Sequence, residues 1–179
     1  MAALSAESSK KTDNAISAVE RLDVAESATT AYVRVHGRAT FKIAPALRDF
    51  VTHELQHARL GVLIDFSECT AVDSTFVGTL TSLSLHCRRA GRGCIKLFNV
   101  PTNVYDVLRT LGLTMVLDVA GAGDANVITY QTAKTAAPSR TEITALMLDA
   151  HQTLAALNEK NALEFHNVIE FLRNSLQPH

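Results

Sequence analysis

The sequence has no tryptophan, only three cysteines and four prolines, and no charge excess of either sign. Each shortage removes a class of protein. Cys69, Cys87 and Cys94 are odd in number and lack Cys-x-x-Cys spacing, which argues against a disulfide framework and a structural zinc site. They read as reduced core residues. A net charge of −1, with the seven histidines counted neutral, leaves no basic footprint for nucleic acid. No apolar run approaches the ~20 residues of a membrane span, and the N-terminus lacks a charged-then-apolar signal pattern. The expectation is a cytoplasmic chain with no membrane insertion and no direct contact with nucleic acid. Glycine is scarce, at eight residues. Gly121-Ala122-Gly123 lacks the third glycine of a dinucleotide fingerprint and reads as a turn.

What is present is apolar periodicity. With 47% hydrophobic residues in 179, the chain can bury one sizeable core and support a small appendage. Val62-Leu63-Ile64 is an apolar run of strand length, and Ala31 to His36 alternates apolar with polar, as a half-buried strand does. Residues 15 to 24 read as an edge strand or a short helix; as a strand they form an antiparallel hairpin with Ala31 to His36. Ala44, Leu47, Val51, Leu55 and Ala58 fall on one helical face between Ile43 and Ala58. Cys94 to Phe98 is a strand, Val104, Val107, Leu108 and Leu111 mark a short helix stopped by Gly112, and Met115 to Val119 is a final strand. Strands alternating with helices predict an α/β fold with parallel pairing.

The chain is organised around Gly61 to Leu80, where a strand delivers a polar turn and the turn opens a helix. Asp73, Ser74 and Thr75 are residue types that cap helices. Val77, Leu80, Leu83, Ser84 and Cys87 then recur at spacings of three and four, which gives this helix an inward face. Arg88 to Gly93 closes it with cations and glycine. The spacing predicts Ser74 and Thr75 at an exposed, electropositive helix mouth, where a phosphate is favoured. The same hydroxyls also suit an ordinary cap.

Ile64-Asp65-Phe66-Ser67, Val72-Asp73-Ser74-Thr75, Gly78-Thr79-Leu80, Gly91 to Leu97 and Leu111-Gly112-Leu113 together resemble the STAS domain of bacterial anti-sigma factor antagonists, over residues 28 to 120. The resemblance implies a STAS-like mixed sheet with helices packed mainly on one face; no catalytic constellation survives in the residues, so no enzymatic activity and no cofactor are expected. It implies phosphorylation at Ser74 by an anti-sigma factor that is also a serine kinase, sequestered when Ser74 is unmodified. The implied partner-binding residues are Asp73, Thr75, Phe76, Thr79 and Asp65, with the turn Cys69 to Val72. Phe76 departs from the glycine usual after the two hydroxyl residues. The alternative is a constitutive STAS-like interaction subunit of a transporter or stress-signalling assembly, not phosphorylated.

His53-Glu54-Leu55-Gln56-His57 has the His-Glu-x-x-His spacing of zinc peptidases on a helix. A third ligand is missing: no Gly-x-x-His follows, and no glutamate occurs between Glu68 and Glu142. It reads as chance spacing, so no metal is expected. Asp65 and Asp73 lack the cleft and positioned base of an acid–base pair and read as turn and cap residues.

Beyond the resemblance, Ile143, Leu146, Met147, Ala150, Leu154 and Leu157 define an amphipathic helix. Asn161 with Glu164 has the form of a capping box opening a second, through Leu163, Val168, Phe171 and Leu172. The expected organisation is a mobile tail at 1–13, a STAS-like domain at 14–122, a connector at 123–139 and a C-terminal helical hairpin at 140–176. Its apolar stripes either cover an exposed face of the core or pair with another chain, as in a homodimer.

Overall fold

The computed structural model describes residues 19–57, 61–91, 94–122, 129–134 and 136–177. The tail expected at 1–13, Ala58 and Gly123 lie outside them. Strands β1 (Arg21–Glu26), β2 (Thr30–Ala39), β3 (Gly61–Val72), β4 (Cys94–Phe98), β5 (Asp118–Val119) and β6 (Gln131–Thr132) form one mixed sheet in the order β5-β4-β3-β2-β1-β6. The run β2 to β5 is parallel, while β1 is antiparallel to both β2 and β6. The expected hairpin forms with Glu26 opposite Ala31, but its first strand is displaced to Arg21–Glu26, and β6 covers its outer edge.

Register and the two-residue period of strands sort the side chains. Val24 faces Val33, Val33 faces Ile64 and Ile64 faces Leu97, and this apolar row is buried under the helices. Full burial of each such side chain is worth roughly 2 kcal/mol, which makes this row the backbone of the core. The covering helices are α1 (Ala44–Gln56), α2 (Ser74–Arg89) and α3 (Thr102–Thr110), followed by α4 (Arg140–Ala155) and α5 (Glu159–Ser175). Pro45 sits in the first turn of α1, where a missing N–H costs nothing, and Leu47, Val51 and Leu55 face inward as the spacing predicts. Val77, Leu80, Leu83, Ser84 and Cys87 are likewise the buried face of α2.

Three local expectations are corrected. The strand through Ile64 does not end at Asp65 but runs to Val72, because Cys69, Ala71 and Val72 pair with Gly37, Arg38 and Ala39 of β2 across two register shifts. Leu113–Met115 is a 3₁₀ turn following Gly112, whose φ of 75° suits only glycine, so β5 keeps just Asp118 and Val119. Asn158, not Asn161, caps α5, and the capping box belongs to α4, where Ser139 and Glu142 exchange bonds.

Asn161 has another role. It is 0% exposed, and its amide donates to the carbonyls of Leu111 and Leu154, tying the α4–α5 junction to the C-terminal end of α3. Phe165, Ile169 and Leu172 are the buried side of α5, whereas Leu163 is 81% exposed and Phe171 is exposed on its outer side. The hairpin lies on α2 of its own chain. A Cβ added at Gly78 would meet the Ala150 carbonyl oxygen at 2.5 Å, so α4 crosses α2 at backbone distance. Ser82 Oγ donates to Asp149 Oδ2 at 3.0 Å one turn further on.

Candidate functional site

The start of α2 is fixed by Asp73. Its side chain accepts from the Phe76 amide at 2.7 Å and from the Phe41 amide at 2.8 Å, while its own N–H donates to Ala39 O at 2.9 Å. One carboxylate thus caps the helix and ties it to the loop after β2, a cap of the kind worth about 1 kcal/mol. Ser74 is therefore not the cap but the first helical residue, which leaves its hydroxyl free for another partner.

That partner is His151 of α4. Ser74 Oγ lies 2.9 Å from His151 Nε2, and His151 Nδ1 lies 2.7 Å from the Met147 carbonyl. A carbonyl only accepts, so Nδ1 carries a hydrogen; in the neutral ring Nε2 then accepts from the serine hydroxyl. The imidazole is 4% exposed and packs edge-on against Phe165, with ring centroids 5.4 Å apart. Ser74 is half-buried and lines a cleft of about 430 Å³ between α3 and α5, together with Asp106, Val107, Leu111, Glu164 and Phe165.

The site predicted as an exposed helix mouth is thus corrected in most of its members. Thr75, Phe76 and Thr79 are buried. Phe76 is 0% exposed and meets Phe66 edge-on at 6.4 Å, filling core volume rather than flanking the serine on a surface. Thr79 Oγ1 donates back to Thr75 O at 2.8 Å, satisfying a buried hydroxyl within the helix. Cys69 to Val72 is strand rather than turn, and the Cys69 thiol is buried, which pushes its pKa up.

Asp65 is not brought to Ser74 at all. It belongs to a polar network on the other face of the sheet, 2% exposed, where Arg34 Nε donates at 3.0 Å, Asn99 Nδ2 at 3.0 Å and the Ser67 amide at 2.9 Å. Burial raises its pKa, but the Ser67, Asn99 and Arg34 hydrogen bonds outweigh that and hold the carboxyl below its ordinary range. Arg34 also stacks over the Tyr130 ring at 4.5 Å. Beside this group His36 lies between two carboxylates, with Nε2 2.8 Å from Asp23 and Nδ1 2.8 Å from Glu68. Asp23 is lowered as well: burial opposes, and hydrogen bonds from Arg21 and Thr132 with the His36 and Arg21 charges prevail.

The His53/His57 pair is engaged in local contacts at the C-terminal end of α1. The two rings stack with centroids 4.1 Å apart, His57 Nδ1 donates to His53 O at 2.8 Å, and Glu54 is buried with Oε1 2.9 Å from His53 Nδ1. Among the described residues no group of three or more His, Cys, Asp or Glu is arranged to hold a metal ion, and no helix is long and apolar enough to cross a membrane.

The sequence alone does not point to His151, Phe165 or Asp106, and it offers Glu164 only as half of a capping box. The available signal was His151 itself, a lone imidazole beside Ala150 and Leu154 on an otherwise apolar helical stripe.

No curated protein matches the chain in sequence. Among solved structures it resembles the anti-sigma factor antagonist SpoIIAA in its unphosphorylated form, at 16% identity and a TM-score of 0.51 over 57% of this chain and 89% of that one. A Thermotoga maritima protein described as a candidate anti-sigma factor antagonist gives 14% identity and a TM-score of 0.51, over 57% of this chain and 86% of that one. At such identities the likeness is one of fold, and α4 and α5 fall beyond the segment that a family model matches. That model, described as Mlab, STAS domain, covers residues 17–121, more than half of the sequence, and the chain belongs to this STAS domain family.

Proposed function

We propose that the protein is a non-catalytic, cytoplasmic regulator of the anti-sigma factor antagonist type, which binds an anti-sigma factor/serine kinase while Ser74 is unmodified and releases it when Ser74 is phosphorylated. The observation that carries this reading is the position of Ser74: the first residue of α2, directly after the Asp73 cap, within a STAS core. A phosphate there would add about −1.5 to −2 charge and three acceptor oxygens. The helix N-terminus favours that charge. Asp73 beside it, and Asp106 and Glu164 lining the same cleft, oppose it and would make the edge strongly acidic, so a partner fitted to a hydroxyl loses affinity. With Thr75, Phe76, Thr79 and Asp65 buried, the contact surface we propose is the rim of this cleft around Ser74, with Asp73 next to it in the chain.

A second reading is favoured by one observation. The Ser74 hydroxyl is already bonded to His151 under the α4–α5 hairpin, as suits a constitutive interaction subunit that is never phosphorylated. Intact-mass analysis of protein from its native cells, with peptide mapping across residues 60–90, separates the two. One phosphate on Ser74 supports the switch; its absence through growth and stress leaves the constitutive subunit. The exposed Leu163 and Phe171 of α5 offer a surface for a second copy, and light scattering across concentration reads that association.

A further inference from the structure

A kinase must bring the acceptor hydroxyl in line with the nucleotide's terminal phosphorus. Ser74 cannot be presented that way in the closed molecule. Its hydroxyl is committed to His151, the seven residues after it are buried in α2, and β3 runs up to Val72 just before it. The cleft beside it, about 430 Å³, has the size of a small-ligand pocket, whereas docking of a protein covers about 800 Å² per partner.

The contact that closes the site is a built one. Ser74, Gly78 and Ser82 recur at every fourth position and so share one face of α2. Each of the three meets α4: Ser74 through His151, Gly78 through the Ala150 backbone, Ser82 through Asp149. Small side chains on this face let α4 approach so closely that even one methyl group at Gly78 has no room. A phosphate on Ser74, one turn away on the same face, would displace the 2.9 Å hydrogen bond to His151 and bring its charge into the cleft beside Asp106 and Glu164.

We propose that the α4–α5 hairpin is an intramolecular cover over the Ser74 edge of α2, latched by His151. The cover lifts before Ser74 is modified, and the modified side chain then holds it off. The latch half of this inference stands on geometry alone; the second half rests on the reading of Ser74 as the phosphorylated residue.

The test uses the full chain carrying Ser74→Cys, with alkylation by iodoacetamide followed at position 74 by peptide mass and referenced to the same protein in urea. The expected result is labelling slowed at least about 10-fold by the closed cover, and restored by about the same factor when His151→Ala is added. Labelling of the introduced thiol at the urea rate in the otherwise intact chain overturns the cover. The second measurement needs no latch variant: hydrogen exchange of Ser74→Glu. The expected result is exchange across residues 140–155 accelerated by about 10-fold while β3 is unchanged; unchanged protection of α4 overturns the claim that the modified state is open. The two readings fail separately. A protected thiol at position 74 together with no phosphate in native cells keeps the cover and removes the switch; phosphate on Ser74 with a freely reactive thiol in the Ser74→Cys chain does the reverse.

Discussion

The two faces of the sheet are held by different forces. On the face under the helices, Val33, Ile64, Leu97 and Phe66 are packed by α1 and α2, and α4 presses on α2 at backbone distance. On the other face, Arg34, Asp65 and Asn99 interlock beside Asp23, His36 and Glu68. The first face is sensitive above all to volume; the second is sensitive to charge. Ser74 belongs to the first. Any chemistry that adds atoms there therefore acts through packing as well as through electrostatics.

Phe76→Ala tests the packed face hardest. Removing a fully buried ring is expected to cost about 4 kcal/mol in urea unfolding. A loss under about 1 kcal/mol would mean that the ring is a surface contact after all. Gly78→Ala probes the same face from the opposite direction, by adding a methyl group against the Ala150 backbone. The expectation is a loss of about 3 kcal/mol, because overpacking at a backbone contact cannot be relieved by rotating a side chain.

Asp65→Ala sharpens the charged face. Losing three hydrogen bonds to a buried carboxylate is expected to cost about 2 kcal/mol at neutral pH. The acid limb adds a signature that packing variants lack. Because the folded-state pKa of Asp65 lies below its unfolded value of ~3.9, its contribution is fully present above that value and is lost as pH falls through the folded one. The variant should therefore show a flatter fall in stability below about pH 4 than wild type, whereas Phe76→Ala should fall in parallel with wild type. Asp73→Ala is the smallest effect, about 1 kcal/mol for the lost cap, read by thermal melting.

Legibility followed range along the chain. The β3–α2 unit, the inward face of α2 and the face of α1 were readable because periodicity is local and the core reinforces it. The surroundings of Ser74 were not. A polar residue at a helix start is exposed by default, and what overrides the default is α4, which begins at Arg140 and is invisible to any window centred on Ser74. Phe76 is hidden for the same reason: its ring looks like a surface departure in the motif, yet Phe66, ten residues earlier on β3, receives it. Asp65 reads as a turn residue because a polar residue after an apolar run marks a strand end, yet pairing with β2 carries β3 seven residues further. The recurrence of Ser74, Gly78 and Ser82 was in plain view and says that another helix lies close. Which helix it is requires the fold.

The two residues of β6 have a consequence out of proportion to their length. By pairing with Asp23 and Val24, and with Ala133 N–H donating to Leu22 O, they anchor the chain to the sheet just before α4. Only residues 134–138 separate that anchor from the Ser139 cap. A tether this short holds its cargo at an effective concentration in the millimolar range. A partner helix arriving from solution at about 1 µM competes against roughly a thousandfold excess, equivalent to about 4 kcal/mol of added contact energy, before it can take the place of α4 on α2.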